Sequence, residues 1–218
     1  MQTMTKQTNP AELLAQLPIS DVENVHGVTF DGELAWLATG DRLLGIDPVS
    51  GEERRSFEVP SEAGTAFDGE HLWQLAGGKI RRVNRDTGEV MRTIDAPEGG
   101  VNISGMAFAE GHLWLGGYKD KRILKLDPET AKVVRVIETD RYVTGVSWTD
   151  GGLWCGASYD GEPISELRRI EPDTGNVAEA ITLPEGVNCS GLEVNSAGGQ
   201  IYFGSGPNLR TAKLPSSN

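Results

Sequence analysis

The sequence predicts an all-β protein: a single five-bladed β-propeller of four-stranded blades, its ring closed by an N-terminal strand that completes the last blade. Three observations predict it. A glycine behind a short polar lead-in opens an apolar run at Gly27, Gly64, Gly105, Gly145 and Gly191, in steps of 37, 41, 40 and 46 residues; a repeat of that length holding four strands is a propeller blade. A large aromatic recurs in the second strand of each unit, in Leu34-Ala-Trp36, Leu72-Trp73, Leu113-Trp114, Leu153-Trp154 and Ile201-Tyr202. Two turn motifs recur between strands as well.

The elements follow in order. Glu12-Leu-Leu-Ala-Gln-Leu-Pro18 ahead of Val25-His-Gly27 parallels Val90-Met-Arg-Thr-Ile-Asp-Ala-Pro97 ahead of Ile103-Ser-Gly105. It is therefore a fourth strand displaced to the start of the chain. The last unit, from Gly191 to Leu214, stops one strand short, so this first strand closes blade five and removes two sheet edges. Residues 1–10 are expected to be a flexible arm and 11–218 the propeller. First and second strands are joined by Asp31-Gly32, Asp68-Gly69, Glu110-Gly111 and Asp150-Gly151-Gly152, residues that accept the positive φ of a tight hairpin. Third and fourth strands are joined by Asp47-Pro-Val-Ser-Gly51, Asn84-Arg-Asp-Thr-Gly88, Asp127-Pro-Glu-Thr-Ala131 and Glu171-Pro-Asp-Thr-Gly175. These suit a type I turn closed by a left-handed residue, and Ala131 is the weakest closer of the four. The recurring aromatics are expected in the core between blades.

Composition narrows the partners. The 218 residues are 38% hydrophobic and 24% charged, with a formal net charge of −12; a nucleic acid or an anionic membrane would be repelled over most of the surface. A small-molecule ligand is the expected partner, in a monomer or a dimer. The first ten residues hold no apolar run of signal-peptide length, and a cytoplasmic location is the expectation. Cys155 and Cys189 make no disulfide framework.

Function is expected where the repeat breaks down. The turns at one end repeat closely, whereas the lead-ins to the opening glycines, and the loops between second and third strands, do not. At that mouth the candidate ligand-binding residues are Asn24, Asn102, Ser104, Tyr118, Lys119, Tyr142, Thr144, Tyr159, Asn188 and Ser190. Blades five, one and two are neighbours in a closed ring, and they bring Cys189, His26 and Glu62 to the rim as candidate catalytic residues: a nucleophile, a base and an orienting acid. Alternatively, His26 and Glu62 hold a divalent metal ion. His71 and His112 occupy matching places after hairpin turns, which favours a capping role. Cys155 lies inside a strand and is expected to be buried and inert. The Tyr159-Asp160-Gly161-Glu162-Pro163 insertion makes the fourth step the longest, and Glu193 is placed either on the channel wall or in water.

With its five units and the runs Leu126-Asp-Pro-Glu-Thr-Ala-Lys-Val-Val-Arg-Val-Ile137 and Leu72-Trp-Gln-Leu75 followed by Lys79-Ile80, the chain resembles glutaminyl-peptide cyclotransferases of the plant and bacterial type, over nearly its whole length. It is similar also to virginiamycin B lyase-like propellers, which share the Asp-Gly, Leu-Trp and Asp-Pro-x-Thr-Gly pattern. The resemblance implies the five-bladed fold and a cyclotransferase-like or lyase-like reaction at the mouth. It also implies a catalytic Glu in the first blade, yet the matching run is Trp36-Leu-Ala-Thr-Gly40, and Leu37 at that place cannot move a proton. The aromatic of the second blade is Gly77, and blade four opens with Thr144-Gly-Val-Ser. The alternative reading is a propeller that binds a ligand or a protein without catalysis.

Overall fold

In the computed structural model, residues 9–159 and 164–215 are described. Chain order begins with β1 (Asn9–Pro10) and β2 (Leu13–Pro18). Blade one follows as β3 (Gly27–Phe30), β4 (Ala35–Ala38), β5 (Leu43–Ile46) and β6 (Glu53–Phe57), and blade two as β7 (Thr65–Phe67), β8 (His71–Ala76), β9 (Lys79–Asn84) and β10 (Val90–Asp95). Blade three comprises β11 (Ile103–Ala109), β12 (His112–Gly117), β13 (Arg122–Asp127) and β14 (Lys132–Glu138). Blade four comprises β15 (Tyr142–Thr149), β16 (Gly152–Ser158), β17 (Ser165–Ile170) and β18 (Val177–Thr182). In blade five β19 (Leu192–Asn195), β20 (Gln200–Ser205) and β21 (Asn208–Lys213) are joined by β2 at the outer edge, Leu17 opposite Leu209. The N-terminal strand thus closes the last blade.

The chain also reaches one blade further. Asn9 and Pro10, at the end of the expected arm, lie parallel to β18 opposite Ile181 and Thr182, so blade four carries a fifth strand. Residues 1–8 lie outside the described residues.

Why glycine opens each blade is a matter of backbone contact. A Cβ on Gly27 would stand 2.7 Å from the Ala63 carbonyl oxygen; on Gly64, 2.5 Å from Gly105; on Gly105, 2.5 Å from Gly145; on Gly145, 2.8 Å from Gly191; and on Gly191, 2.6 Å from Gly27. Each innermost strand therefore presses its main chain on the next, around a closed ring of five glycines. Glycine in a strand interior commonly marks such an approach.

Apolar burial is divided among the blade interfaces. Five buried clusters each join two neighbouring blades: Trp36 with Leu72, Trp73 with Leu113, Trp114 with Leu153, Trp154 with Phe203, and Tyr202 with Val28. Trp73 stacks on Phe108 and Trp114 on Trp148 across these interfaces, at centroid distances of 6.2 and 5.2 Å, which adds to their burial.

The turns show why the sequence repeats at this end. Asp31 Oδ1 accepts the Glu33 and Leu34 amides, while its Oδ2 accepts the Trp36 indole N–H at 2.8 Å. Asp68 does the same with Glu70, His71 and Trp73. One carboxylate thereby ties the hairpin to the inter-blade aromatic. The four hairpins are not all of one kind. Glu110 with Gly111, and Asp150 with Gly151, both adopt positive φ, the two-residue I′ geometry. That shifts the turn by one place, Ala109 pairs with His112, and the Trp114 indole N–H is left without a partner. His112 does cap this turn, on the Glu110 carbonyl. The outer turns match expectation: Asp47, Asn84 and Asp127 accept the amides two and three residues on, and Gly51, Gly88, Gly175 and Ala131 close them at φ of 76, 74, 75 and 55°. Those amide bonds hold the Asp47 and Asp127 carboxyls below their usual pKa.

Candidate functional site

The residue just before each opening glycine lines a single cavity. His26, Ala63, Ser104, Thr144 and Ser190 come from the five blades in turn and surround about 600 Å3 on the propeller axis, a size usual for ligand sites. Glu62, Asn102, Ile103, Tyr118, Ser158, Tyr159, Ser165, Gly186, Asn188 and Cys189 complete the wall. Two side chains also staple the ring shut. Ser104 Oγ donates to the Val143 carbonyl of blade four at 2.5 Å, and Ser190 Oγ to the Val25 carbonyl of blade one at 2.5 Å. The β11–β12 and β15–β16 registers slip at Ser104 and Thr144, a bulge that re-aims the side chain.

The three candidates for chemistry part company here. The His26 imidazole takes no hydrogen bond from the described residues, although its amide donates to the Ala38 carbonyl at 2.8 Å. Both ring nitrogens are thus left to the cavity. Glu62 is exposed, its Oε2 accepting the Gly77 amide at 2.9 Å. Cys189 is 2% exposed, and its Sγ donates to the Gly191 carbonyl at 3.6 Å. Burial pushes its thiol up to about 12 against the weaker pull of the Gly191 and Thr144 contacts. A thiol that keeps its proton at neutral pH is no nucleophile, which argues against the catalytic role expected of Cys189. Its sulfur is tightly packed: a Cβ on Gly156 would meet the Thr144 hydroxyl at 2.3 Å and the Cys189 sulfur at 2.7 Å. Cys155 is buried as expected, its thiol likewise pushed up to about 12 by burial.

Of the expected ligand-binding residues, Asn102, Ser104, Tyr118, Thr144, Tyr159, Asn188 and Ser190 line the cavity, whereas Asn24, Lys119 and Tyr142 do not. Asn24 and Lys119 are exposed, and Tyr142 packs against Tyr118 at a centroid distance of 4.9 Å with Lys121 Nζ over its ring. Asn102 adopts a left-handed φ of 64°, which Asn tolerates better than most side chains. Asp160 to Pro163 lie outside the described residues. Ser158 and Ser165 went unforeseen. The signal was pairing: Ser158 lies opposite both Tyr142 and Ser165, so the end of the second strand and the start of the third share the mouth with the lead-in.

Metal ligation finds little support in the donors. His26 and Glu62 offer one nitrogen and one carboxylate, and no group of three or more His, Cys, Asp or Glu side chains suited to a metal occurs among the described residues.

Beside the mouth, blades three and four enclose a second cavity of about 560 Å3, and Tyr159 walls both. On this side Arg141 lies over the Tyr159 ring at 3.8 Å. The Tyr159 hydroxyl donates to Glu166 at 3.3 Å; Arg168 donates to Glu166 and Asp140, each at 2.7 Å. Beyond the glycine ring, Glu193 sits on the channel wall, accepting the Thr29 hydroxyl at 2.7 Å and the Ser147 hydroxyl at 2.6 Å. Burial raises its pKa, the hydroxyls opposing.

Comparison with known proteins bears on the fold. No protein-family profile matches the sequence, and no curated protein matches it. Among solved structures it is similar to the glutaminyl cyclase of Myxococcus xanthus, 17% identical with a TM-score of 0.78, over 97% of this chain and 99% of that one. It is similar also to a chain of hydrazine synthase from Kuenenia stuttgartiensis, 16% identical with a TM-score of 0.55, over 91% of this chain and 58% of that one. A chain of a mitotic checkpoint complex is 12% identical with a TM-score of 0.53, over 88% and 62%. No helix among the described residues is long and apolar enough to cross a membrane. The chain is a five-bladed propeller with the fold of a glutaminyl cyclase.

Proposed function

We propose that the chain is a small-molecule enzyme working at the axial cavity, in an elimination or acyl-transfer reaction of the cyclotransferase-like kind with His26 as general base. One observation carries it: the His26 imidazole lines the cavity with both nitrogens free of protein partners. A base needs its proton-accepting atom within hydrogen-bond reach of substrate, and a base of this type contributes on the order of 100-fold to 10,000-fold. Glu62 is the one carboxylate on the wall among the described residues and is the partner available to a protonated imidazole or a substrate amine. Leu37 is fully buried against Val25 and Val28, so the proton transfer implied for a first-blade Glu falls to His26 here. A cytoplasmic setting belongs to this reading; a divalent ion held by His26 and Glu62 does not, since it would occupy an imidazole nitrogen that the base needs.

The test presents the protein with an amino-terminal glutaminyl peptide, followed by ammonia release, and with a neutral lactone, followed by acid release. His26→Asn is expected to lower turnover at least about 100-fold with the melting temperature unchanged. Equal turnover in a folded His26→Asn protein overturns the reading. A second reading, a binding propeller without catalysis, is favoured by Leu37, withdrawn into the core, and by Cys189, whose thiol stays protonated at the wall; turnover of neither probe, with ligand binding intact, selects it.

A further inference from the structure

We propose that the axial cavity takes an uncharged, polyhydroxylated molecule of the saccharide class, its C–H face laid on Tyr159 or Tyr118 and its hydroxyls on Asn188, Asn102 and His26. This rests on the same cavity as the proposed function but not on any reaction there. Charge is the first argument. Among the described residues no Lys or Arg lines the cavity, and the chain carries a formal charge of −12, so an anionic ligand finds repulsion on approach and none of these cations on arrival.

Over the two tyrosine rings themselves, a cation is disfavoured by what stands behind them. A bare aromatic wall beside a carboxylate would suit an ammonium group. Here Arg141, which lines the second cavity and not this one, already lies 3.8 Å from the Tyr159 ring centre. Lys121 lies 5.1 Å from the ring centre of Tyr142, the ring on which Tyr118 packs. Arg141 is itself paired with Asp140 at 3.2 Å, so a second cation on the cavity side would meet less bare charge than a ring whose π-density is already engaged. A neutral C–H face meets no such competition. It finds a ring held in place by its hydroxyl bond to Glu166, and binding to a preorganised wall loses less side-chain entropy.

The remaining hydrogen-bonding capacity is mixed, as a hydroxyl-bearing ligand requires. Asn188 Oδ1 accepts the Ser205 hydroxyl at 2.8 Å, which leaves its NH2 as donor. Asn102 uses one N–H of its NH2 on Asp120 at 3.5 Å, which leaves the other N–H as donor and its carbonyl as acceptor. His26 supplies one of each when neutral. Each hydroxyl of a sugar both donates and accepts, and this wall answers both.

Ligand-observed saturation-transfer NMR on the full chain tests the assignment, with glucose and N-acetylglucosamine as neutral probes, glucuronate as anion and choline as cation. Transfer to the ring C–H protons of a neutral probe is expected, with glucuronate and choline silent, and Tyr159→Ala is expected to weaken binding at least tenfold. Should Tyr159→Ala fail to fold, the exposed Tyr118→Ala serves in its place. Preferential binding of glucuronate or choline overturns the proposal, as does silence from both neutral probes or binding that neither tyrosine variant weakens. The unaltered chain separates this from the reading above: turnover of a glutaminyl peptide with no sugar binding sinks this inference alone, whereas sugar binding with turnover of neither reaction probe sinks only the catalytic reading.

Discussion

The two ends of this propeller are built from the same strands and obey different rules. At the turn end, Asp31 and Asp68 repeat the same three hydrogen bonds, and Asp47, Asn84 and Asp127 repeat the same amide pair. At the mouth, the place before each opening glycine holds His26, Ala63, Ser104, Thr144 and Ser190, four kinds of side chain in five places around one cavity. Between the ends, the glycine ring allows no side chain at all. Repetition therefore marks what the scaffold needs, and its loss marks where the molecule is free to specialise.

That contrast breaks most severely at the ring. Gly64→Val places its Cβ about 2.5 Å from the Gly105 main chain, where only backbone could yield; loss of folded, soluble protein is expected, read by expression and circular dichroism. A folded variant with a normal melting temperature would show that the blades are not pressed together as described. Next is the turn end. Asp68→Ala removes acceptors for two amides and the Trp73 indole and is expected to cost about 2 to 3 kcal/mol in urea unfolding. The same change at the unrepeated mouth should do little: Asn188→Ala is expected to stay within about 0.5 kcal/mol while abolishing the sugar signal.

Glu193 sharpens the contrast from the channel side. Its folded pKa is raised, so its stabilising contribution is complete below the ordinary carboxyl value and is lost as pH rises through the folded value. The wild-type melting temperature is therefore expected to fall relative to Glu193→Gln as pH climbs from that ordinary value; parallel profiles would show that the carboxyl is solvated. The last effect is a gain, at an outer turn. Ala131→Gly relieves a left-handed residue at φ 55° and is expected to gain about 1 kcal/mol, seen as a raised urea midpoint.

How legible each part was follows from how local its cause is. The opening glycines were visible as a period because one physical demand, main chain against main chain, recurs in every blade. The inter-blade aromatics and Asp-rich turns were visible for the same reason. The one-place slip of the blade-three hairpin was hidden, since Glu110-Gly111 and Asp31-Gly32 read alike until φ separates them. At the mouth, His26 and Asn188 could be placed from their distance to a glycine, but Lys119 and Tyr142 could not be excluded that way. Lys119 sits in a loop and Tyr142 at the very start of β15, where its ring packs on Tyr118 of the neighbouring blade.

By itself, then, the sequence determined five units, their strand order, the closing role of Leu13–Pro18 and the end at which the pattern fails. Only the tertiary structure decided that Cys189 lies buried against Thr144 and Gly156, that Tyr159 is backed by Arg141, and that Asn9–Pro10 adds a strand to blade four. The physical reason is range. Turn chemistry and strand period act over a few residues and are written in order along the chain, whereas burial, charge placement and a free imidazole are set by groups tens of residues apart that meet only when the ring closes.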